Sequence, residues 1–410
     1  MEEWKSYKLG DISEIKGGKR LPKGIGLITS PNSHPYIRIR DLGVSRILEL
    51  DSSYEYVDDE TQKQISRYIV DEGDILLSIV GTIGLTGIVG TSLNKANLTE
   101  NCVKIVNLKG LDYKFLYYFL SSPVGQSEIS KGIVGAVQPK LPIKNIQNIT
   151  INLPSLKRQQ EIASILSSID DKIELNNRIN HNLEEQAQAL YKSWFVDFEP
   201  FKDGKFVDSE LGMIPEGWSV VPFLSLAKLC SGGTPKTDIK EFWNGNIPFF
   251  TPKDVKGSTF CLITEKTISE PGLNNCNSRL YSPYTIFITA RGTVGKLCMA
   301  GIPMAMNQTN YAICPSESID PVVLYLITKQ LILKLQNKAN GAVFDAITTR
   351  DFEGEYILAS TPSVLNKFAQ IVRPIYERIL QNDKQTLALA QYRDALLPQL
   401  MTGSLITNNL

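Results

Sequence analysis

Two short loops hold the residues whose types and spacing best suit chemistry on a polyanion. "SIVGTIGL" begins at Ser78 and "TARGTVGK" begins at Thr289, so Gly-Thr-x-Gly occurs at Gly81 and again at Gly292. Backbone N–H groups of such a loop can approach a phosphate, and threonine or arginine adds further hydrogen bonds. Arginine also reads guanine O6 and N7. One loop alone is typical of a hairpin turn, but its recurrence with cations such as Arg291 favours contact with nucleic acid.

The cations and hydroxyls around these loops form the predicted nucleic-acid-contacting set. The two loops differ, because Val80 and Leu85 stand in the first where Arg291 and Lys296 stand in the second. Arg38, Arg40 and Lys19 are weaker substitutes for the two cations that the first loop lacks. The predicted set comprises Lys19, Arg20, Lys23, Arg38, Arg40, Gly81 and Thr82 in the first half, and Thr234, Lys236, Lys253, Arg291, Gly292, Thr293 and Lys296 in the second.

This sequence contains few of the motifs that catalysis requires. "GTVGKL" lacks the spacing of a nucleotide-binding P-loop, and Gly24-Ile25-Gly26 lacks the third glycine of a dinucleotide fingerprint. The Asn/Asp-Pro-Pro-aromatic motif of amino-methyltransferases does not occur. His34 and His181 are the only histidines, and the six cysteines contain no C-x-x-C pair. We therefore predict reduced, structural thiols, with no metal and no cofactor bound by this chain.

Composition and charge narrow the class of protein further. The 410 residues are 42% hydrophobic and 21% charged, which is ordinary for a globular protein of two or three domains. With 43 basic and 43 acidic residues, the chain has no bulk attraction to polyanions, so any contact must be local. No apolar run approaches the ~20 residues of a membrane span. The start "MEEWKSYKLG" lacks the apolar core of a signal peptide, which predicts a cytoplasmic location and no membrane partner.

The two loops belong to a repeat that covers almost the whole chain. Each half gives the same order of a tryptophan, a glycine pair, a β-rich segment, the Gly-Thr-x-Gly loop and a helix marked by proline. The match is weak at single residues but collinear throughout, which predicts a duplicated module. The matching segments are Trp4 with Trp218, Gly17-Gly18 with Gly232-Gly233, 34–42 with 247–255, 131–141 with 337–347, and 153–156 with 361–364.

Each module is predicted to have an α+β fold. Its short β-branched runs are separated by clusters of Gly, Asn and Pro, which is typical of a mixed sheet with loops. Helices are predicted at corresponding places in the two halves, for residues 112–122 and 320–336.

A long helix with an apolar repeat is predicted after each module. From Ile162 and from Phe368, apolar side chains recur at alternating steps of four and three residues, as in a coiled-coil seam. The first helix should run from about Lys157 to Val196, roughly 60 Å at 1.5 Å per residue. Helices each buried on their own module would show a similar pattern, but heptads of this length favour helix pairing. The predicted seam comprises Ile162, Leu166, Ile169, Ile173, Asn180, Leu183, Leu190, Phe368, Val372, Ile375, Ile379, Asn382, Leu389 and Leu396.

An antiparallel pair with matched ends has a defined register, in which paired positions sum to 562. Asn180 then faces Asn382, and Asn176 faces Thr386, so the polar seam residues apart from Arg393 gather in two adjacent central layers. An unpaired buried amide costs ~1–3 kcal/mol, so such layers can select this register over slipped ones. Pro374 lies inside the second helix and is a candidate for a kink near its start.

This sequence resembles the DNA-specificity (S) subunit of type I restriction–modification systems. The resemblance covers essentially the whole chain and is most specific in two helical regions, "LPSLKRQQEIASILSSIDDKIELNNRINHNLEEQAQALYKSWFVDF" at 153–198 and "YRDALLPQLMTGSL" at 392–405. The segment "LGMIPEGWSVVPFLSLA" from Leu211 is similar to the usual start of a target-recognition domain.

The resemblance implies two pseudo-symmetric α/β target-recognition domains joined by two long antiparallel coiled-coil helices. The recognition domains would span 1–154 and 201–361, and the helical spacers 155–200 and 362–410. Each domain would read half of a split site in double-stranded DNA. The chain would dock to two methyltransferase subunits, which bind S-adenosylmethionine, and to restriction/translocase subunits that use ATP and Mg. This chain would supply DNA recognition, and its partner subunits would supply the catalytic chemistry.

Two other classes of protein remain open at this stage. One is a divergent DNA methyltransferase or nuclease, for which S-adenosylmethionine binding or DNA cleavage by the purified chain would be evidence. The other is a structural helical adaptor, whose complex would show no dependence on DNA.

Overall fold

The structure, a computed structural model, describes residues 4–43, 45–292, 294–338 and 346–405. Contacts divide the chain into two compact units. The first comprises Met1–Ile173 with Ala388–Leu410, and the second comprises Glu174–Leu387. Thr293, from the predicted contact set, lies outside the described residues.

The first unit contains short strands and helices followed by the start of a long helix. Its strands are β1 (Lys5–Lys8), β2 (Glu14–Gly17), β3 (Pro35–Ile37), β4 (Ile47–Leu48), β5 (Glu55–Tyr56), β6 (Ile75–Ser78), β7 (Thr86–Val89), β8 (Asn97–Leu98), β9 (Cys102–Val106) and β10 (Thr150–Leu153). Its helices are α1 (Leu9–Ile12), α2 (Asp59–Ile65), α3 (Tyr113–Ser121), α4 (Pro123–Lys131), α5 (Ile143–Gln147) and the first part of α6 (Leu156–Phe195).

The second unit repeats this plan. Its strands are β11 (Phe206–Ser209), β12 (Gly212–Pro215), β13 (Ser219–Pro222), β14 (Ala227–Ser231), β15 (Trp243–Phe250), β16 (Phe260–Cys261), β17 (Lys266–Ile268), β18 (Ile286–Thr289), β19 (Leu297–Ala300), β20 (Ala305–Met306), β21 (Asn310–Pro315) and β22 (Tyr356–Ala359). Its helices are the rest of α6, α7 (Glu270–Asn274), α8 (Pro321–Lys338), α9 (Thr349–Glu353) and most of α10 (Pro362–Met401), whose last residues, from Ala388, belong to the first unit.

The strand order is the same in both units. Within the described residues, the larger sheet has the order β2-β9-β6-β7-β4 in the first unit and β14-β21-β18-β19-β16 in the second. The smaller sheets are β5-β3-β8 and β17-β15-β20. In each unit an antiparallel pair, β1-β10 or β13-β22, joins the start of the module to the strand that precedes a long helix. The sequence repeat is therefore a repeat of α+β structure.

Strand pairing corrects the predicted alignment of the glycine pairs by one residue. Gly17 pairs with Val103 on β9, and the matched position on β21, Tyr311, pairs with Ser231. Gly18 therefore corresponds to Gly232, and Gly17 does not. The reason is that the ladder with the neighbouring strand fixes the register, whereas sequence comparison aligned the two glycine pairs with each other.

The central strand of each larger sheet is an apolar run because both of its faces are covered. In β6, Ile75 and Leu77 pack in the same hydrophobic core as Phe115 of α3. Leu76 points to the other face and packs in a second cluster with Leu98 of the smaller sheet. All four residues of β18 are likewise buried in the second unit. The two-sided burial explains why these strands lack an alternating pattern.

The long helices begin and end close to the predicted positions. Both α6 and α10 contain 40 residues, and α10 continues through Pro374. Every residue of the predicted seam is buried or partly buried, and the seam also packs against the modules. Ile162, Leu166, Ile169, Ile173, Leu389 and Leu396 belong to the core of the first unit, whereas Leu183, Leu190, Phe368, Val372, Ile375 and Ile379 belong to that of the second. Helix pairing and burial on a module thus occur together.

Polar layers join the two helices within the second unit. The Asn382 side-chain amide donates to Asn180 Oδ1 at 2.8 Å, and Asn180 Nδ2 donates to Asp383 Oδ1 at 2.7 Å. The Asn176 amide donates to Thr386 Oγ1 at 3.3 Å. Asn180 with Asn382, and Asn176 with Thr386, are the pairs that an antiparallel register summing to 562 places opposite each other. Asn176 and Asn382 are 0% and 2% exposed, so their amides depend on these hydrogen bonds.

A partly buried ion pair joins the helices within the first unit. Arg393 Nη1 lies 2.8 Å from Asp170 Oδ1, and the Tyr118 hydroxyl of α3 donates to Asp170 Oδ2 at 2.7 Å. The adjacent Asp171 pairs with Arg46, which comes from the loop before β4 and is 5% exposed. Asp170 and Asp171 therefore fasten the first module to the helix pair.

The Asp383 carboxyl beside the polar layers gives an expected pH dependence. Burial raises the pKa of Asp383 to about 6, against opposing hydrogen bonds from Asn180 and the Phe260 backbone, and with repulsion from Glu184. The folded state thus holds the proton more tightly than the unfolded state, so this contribution to stability is lost as pH rises through about 6. We expect Asp383→Asn to raise the free energy of unfolding by about 1–2 kcal/mol near pH 8 and to change it little near pH 4.

Denaturant unfolding of variant and parent at the two pH values measures this effect. Glu377→Gln, at an exposed carboxylate on the same helix, is the control for general loss of a negative charge. Equal stabilisation by Asp383→Asn at both pH values would contradict burial of charge as the cause.

Candidate nucleic-acid interface

Three loops of the first unit meet at one turn, residues 99–101, between β8 and β9. The Lys19 amide after β2 donates to Leu98 O, immediately before this turn, at 2.8 Å, and the Ile79 amide after β6 donates to Asn101 O at 2.8 Å. The Thr99 amide donates to Ile37 O at the end of β3 at 3.1 Å. The glycine loop, the arginine-containing loop and the Gly-Thr-x-Gly loop therefore lie side by side at one edge of the module.

The second unit brings the corresponding loops together at residues 307–309. The Ala290 amide donates to Thr309 O at 3.1 Å, and the Asn307 amide donates to Phe250 O at 3.0 Å. The Gly233 amide donates to Met306 O at 3.0 Å. The same convergence in two copies indicates that this edge has one role in both units.

Glycine is required where these loops approach the turn. A Cβ atom added to Gly18 or Gly232 would lie 2.0 Å or 2.1 Å from a carbonyl oxygen of the turn, so neither position accepts a side chain without movement of the backbone. Gly81 and Gly292 have positive φ angles of 74° and 82°, which glycine adopts at little cost.

Each Gly-Thr-x-Gly loop is a hairpin between two strands of the larger sheet. In the first, the Ser78 hydroxyl donates to Thr82 O at 2.6 Å and accepts from the Leu85 amide at 2.9 Å. In the second, the Thr289 hydroxyl accepts from the Lys296 amide at 3.0 Å. Gly81, Thr82 and Gly292 are exposed, so a hairpin turn and a binding loop are compatible.

Carboxylates balance the arginines of the first unit. Arg38 and Arg40 both pair with Glu55, and the Arg40 contact is 3.0 Å long. Arg20 pairs with Glu100 at 2.7 Å. Burial is the largest single influence on Glu100 and raises its pKa, but the hydrogen bonds from Arg20, the Glu100 backbone and Thr99, with the Arg20 charge, together hold the pKa of Glu100 below its usual value. These three predicted contact residues therefore meet any anion with their charge partly balanced, since Glu55 serves two of them.

The remaining predicted residues of the first unit are lysines. Lys19 Nζ lies 5.4 Å from the centre of the Tyr68 ring, and the Tyr36 hydroxyl donates to Lys19 O at 2.8 Å. Lys23 is exposed. Tyr36 itself is 3% exposed, which makes it part of the core and unavailable to stack on a base.

The charge at one matched position is reversed in the second unit. Glu55 pairs with Tyr36 across the small sheet, and the matched residue there is Lys266, which pairs with Phe249. Lys266 Nζ lies 5.7 Å from the centre of the Trp243 ring. Sequence comparison missed Glu55 and Lys266 because only the strand pairing places them beside the loops.

The second unit keeps its predicted cations largely unbalanced. Lys236, Arg291 and Lys296 are exposed and pair with no carboxylate in the part of the chain that the structure describes. Lys253 Nζ lies 3.9 Å from an oxygen of exposed Glu265, a weak contact. The edge of the second unit is thus the more basic of the two.

A hydroxyl–amide contact in the second unit replaces an ion pair of the first. The exposed Thr234 hydroxyl donates a hydrogen bond to the Gln308 side chain. Thr234 occupies the position of Arg20 in the first unit, and Gln308 occupies that of Glu100. The turn and the loop are thus linked in both units, by different chemistry.

The described residues offer neither a cluster of metal ligands nor a membrane-spanning helix. No group of three or more His, Cys, Asp or Glu side chains is placed to hold a metal ion among the residues described. No helix in the described ranges is long and apolar enough to cross a membrane. All six cysteines are free thiols.

The chain is thus a duplicated α+β module that presents matched glycine loops at one edge of each unit. A family model described as "Type I restriction modification DNA specificity domain" matches residues 1–185 and 215–367. The chain therefore belongs to the family of type I restriction–modification specificity subunits. Members of this family recognise DNA within type I complexes, and this chain is a non-catalytic recognition component.

Individual relatives agree with the family assignment. The MjaIX specificity subunit of Methanocaldococcus jannaschii is 30% identical, over 100% of this chain and 95% of that protein. The HindI specificity subunit of Haemophilus influenzae is 25% identical, over 99% of this chain and 100% of that protein. The solved S subunit from M. genitalium has a TM-score of 0.60 at 17% identity, covering 97% of this chain and 96% of that one, which shows a shared fold.

Proposed function

We propose that this chain reads a split site in double-stranded DNA, one half with each unit. The observation that carries the proposal is the matched convergence of three loops on residues 99–101 and on 307–309. The recognition domains are residues 1–154 and 201–361, and the helical spacers are 155–200 and 362–410.

The same proposal assigns the chemistry to partner subunits. Two methyltransferase subunits, which bind S-adenosylmethionine, and restriction/translocase subunits, which use ATP and Mg, dock to this chain in the cytoplasm. Support comes from the resemblance of the helical regions and from the membership of the family, whose relatives are specificity subunits of type I restriction enzymes.

The two units differ in the chemistry that they offer to DNA. Arg291, Lys296 and Lys236 give the second unit free cations, and an arginine can bond guanine O6 and N7 in the major groove. In the first unit, Arg38 and Arg40 are held by Glu55. Their guanidinium groups are positioned rather than free, which suits a specific contact more than general attraction.

Mapping of methylated bases in the host genome, with and without this gene, tests the proposal. We expect a two-part motif that disappears with the gene and that depends on Arg291 in one half only. Arg291→Ala should cost about 1–3 kcal/mol of discrimination at that half-site. The measurement is binding of the assembled methyltransferase to duplexes in which one half-site is scrambled.

Lys228→Ala is the matched control, because Lys228 is an exposed cation near the start of β14, away from the loops that follow the strand. It should leave both half-sites unchanged. A methylation pattern that does not depend on this gene would refute the proposed function.

A further inference from the structure

The Gly-Thr-x-Gly loop of each unit is bordered by a second backbone segment. In the first unit Val80 forms an antiparallel bridge with Lys140, and in the second Arg291 forms the same bridge with Ala346. The flanking hydrogen bonds also correspond. The Leu141 amide donates to Ile79 O in the first unit, and the Ile347 amide donates to Ala290 O in the second, both at 2.9 Å. Lys140 and Ala346 therefore occupy matched positions, as do Val80 and Arg291.

Each unit has one cation at this bridge, but the two units carry it on different segments of the bridge. The second unit carries it on the Gly-Thr-x-Gly loop as Arg291, opposite Ala346. The first unit has Val80 on that loop and carries the cation on the bordering segment as Lys140. Side chains that face each other across an antiparallel bridge lie on the same face, so both cations occupy the same side of the loop.

The segment that carries Lys140 is held in place by several hydrogen bonds. Val134 and Lys140 exchange two backbone hydrogen bonds of 2.9 Å, which close a small loop with Val137 near its tip. Leu141 is 1% exposed and anchors the end of this loop in the core. Asn145 Nδ2 donates to Gly132 O at 2.8 Å at its start. The cation is thus presented from a preformed backbone.

Lys140 is a free cation at the interface of the first unit. Its side chain is exposed, and over the described ranges no carboxylate pairs with it. Val80 and Val134, its neighbours across the two bridges, are 37% and 41% exposed. A lysine flanked by exposed valines, beside Gly81 and Thr82, forms a surface that can be covered by another molecule without breaking an ion pair.

We propose that Lys140 is the DNA-contacting cation of the first unit and takes the place of Arg291. The inference rests on the proposed function. Lysine carries a point charge on a flexible stem, without the planar fork with which arginine reads guanine. Lys140 therefore bonds a backbone phosphate next to Gly81 and Thr82, so it contributes affinity at the first half-site and little base discrimination.

Binding of the assembled methyltransferase to its duplex, measured over a range of salt concentrations, tests this role. Lys140→Ala should weaken binding to the intact duplex about tenfold at low salt. The factor should be similar on duplexes in which either half-site is scrambled. It should reduce the slope of log affinity against log salt by about 0.9, the effect of one phosphate contact. Lys131→Ala is the matched control, because that lysine begins the same segment but pairs with Glu128 at 2.5 Å.

A transposed variant separates a contact from a structural role. Val80→Arg combined with Lys140→Ala moves the cation to the side of the bridge that the second unit uses. We expect this double variant to recover most of the affinity and the salt slope, with thermal unfolding unchanged in all variants. Recovery would support a contact, since a purely structural role of Lys140 would not be restored by a charge on the opposite segment.

The outcomes distinguish the inference from the function on which it rests. Unchanged affinity and salt slope in Lys140→Ala, with one half-site preference lost in Arg291→Ala, would overturn the inference alone. Loss of discrimination at one base pair in Lys140→Ala, without a change of slope, would overturn the phosphate assignment. Binding by the complex that ignores both half-sites in the parent protein would overturn the proposed function.

Discussion

Replacement of Phe368 with alanine is expected to destabilise the second unit by about 3–5 kcal/mol. Phe368 is 0% exposed and lies where the start of α10 meets the end of α6. The centre of its ring is 4.8 Å from that of Phe195, 5.4 Å from that of Trp194 and 6.2 Å from that of Tyr191. Because large aromatic neighbours surround it, the structure can collapse only partly into the cavity, and most of the lost packing is not recovered.

Hydrogen exchange measured separately for amides of α3 and α8 reports this loss by unit. Exchange should accelerate in α8, in the second unit, and much less in α3, in the first. Tyr392→Ala removes a 50% exposed aromatic from the same helix and should change stability by less than about 0.5 kcal/mol. A loss below about 1 kcal/mol in Phe368→Ala would show that the aromatic cluster is not tightly packed.

Replacement of Asp170 with alanine should cost the first unit about 3–5 kcal/mol. The carboxylate is 8% exposed, and its removal leaves two donors without their partner, Arg393 Nη1 and the Tyr118 hydroxyl. Burial and the Asp170 charge both raise the pKa of Tyr118, so this phenol stays protonated and needs an acceptor. The cost comes from the unpaired groups that remain buried more than from the lost attraction.

Two further variants test that explanation. Asp394→Ala removes an exposed partner of the same arginine, at 64% exposure, and should cost less than about 1 kcal/mol. Changing Asp170, Arg393 and Tyr118 together to leucine, methionine and phenylalanine should recover much of the stability that Asp170→Ala loses. If the triple variant is as unstable as the single one, unpaired buried groups are not the cause.

The helix pairing could be predicted from the sequence because its signal is local. A heptad fixes which face of each helix is apolar, and asparagines at Asn180 and Asn382 leave one register in which buried amides meet. The hydrogen bond between those two side chains follows from that reasoning. The module folds were predictable in class and repeat order, because turn residues mark the ends of their strands.

The detailed site depends on contacts that are distant in sequence. Glu55 lies beside Arg38 and Arg40 because β3 pairs with β5, and nothing in the spacing of these charges indicates that pairing. Lys140 reaches Val80 across 60 positions of the chain through one bridge. Local periodicity carries no information on such pairings, so the sequence identified the loops but not the charges that face them.

The division of the chain between its units has a consequence for synthesis. Leu396 and Leu400, from the second long helix, pack in the core of the first unit with Leu9 and Phe115. The second unit draws its residues from the continuous range 174–387. Because a ribosome releases the chain from its N-terminal end, the first unit cannot close its core until residues beyond 387 have been made. The part of the protein that is made first therefore depends for its core on the part that is made last.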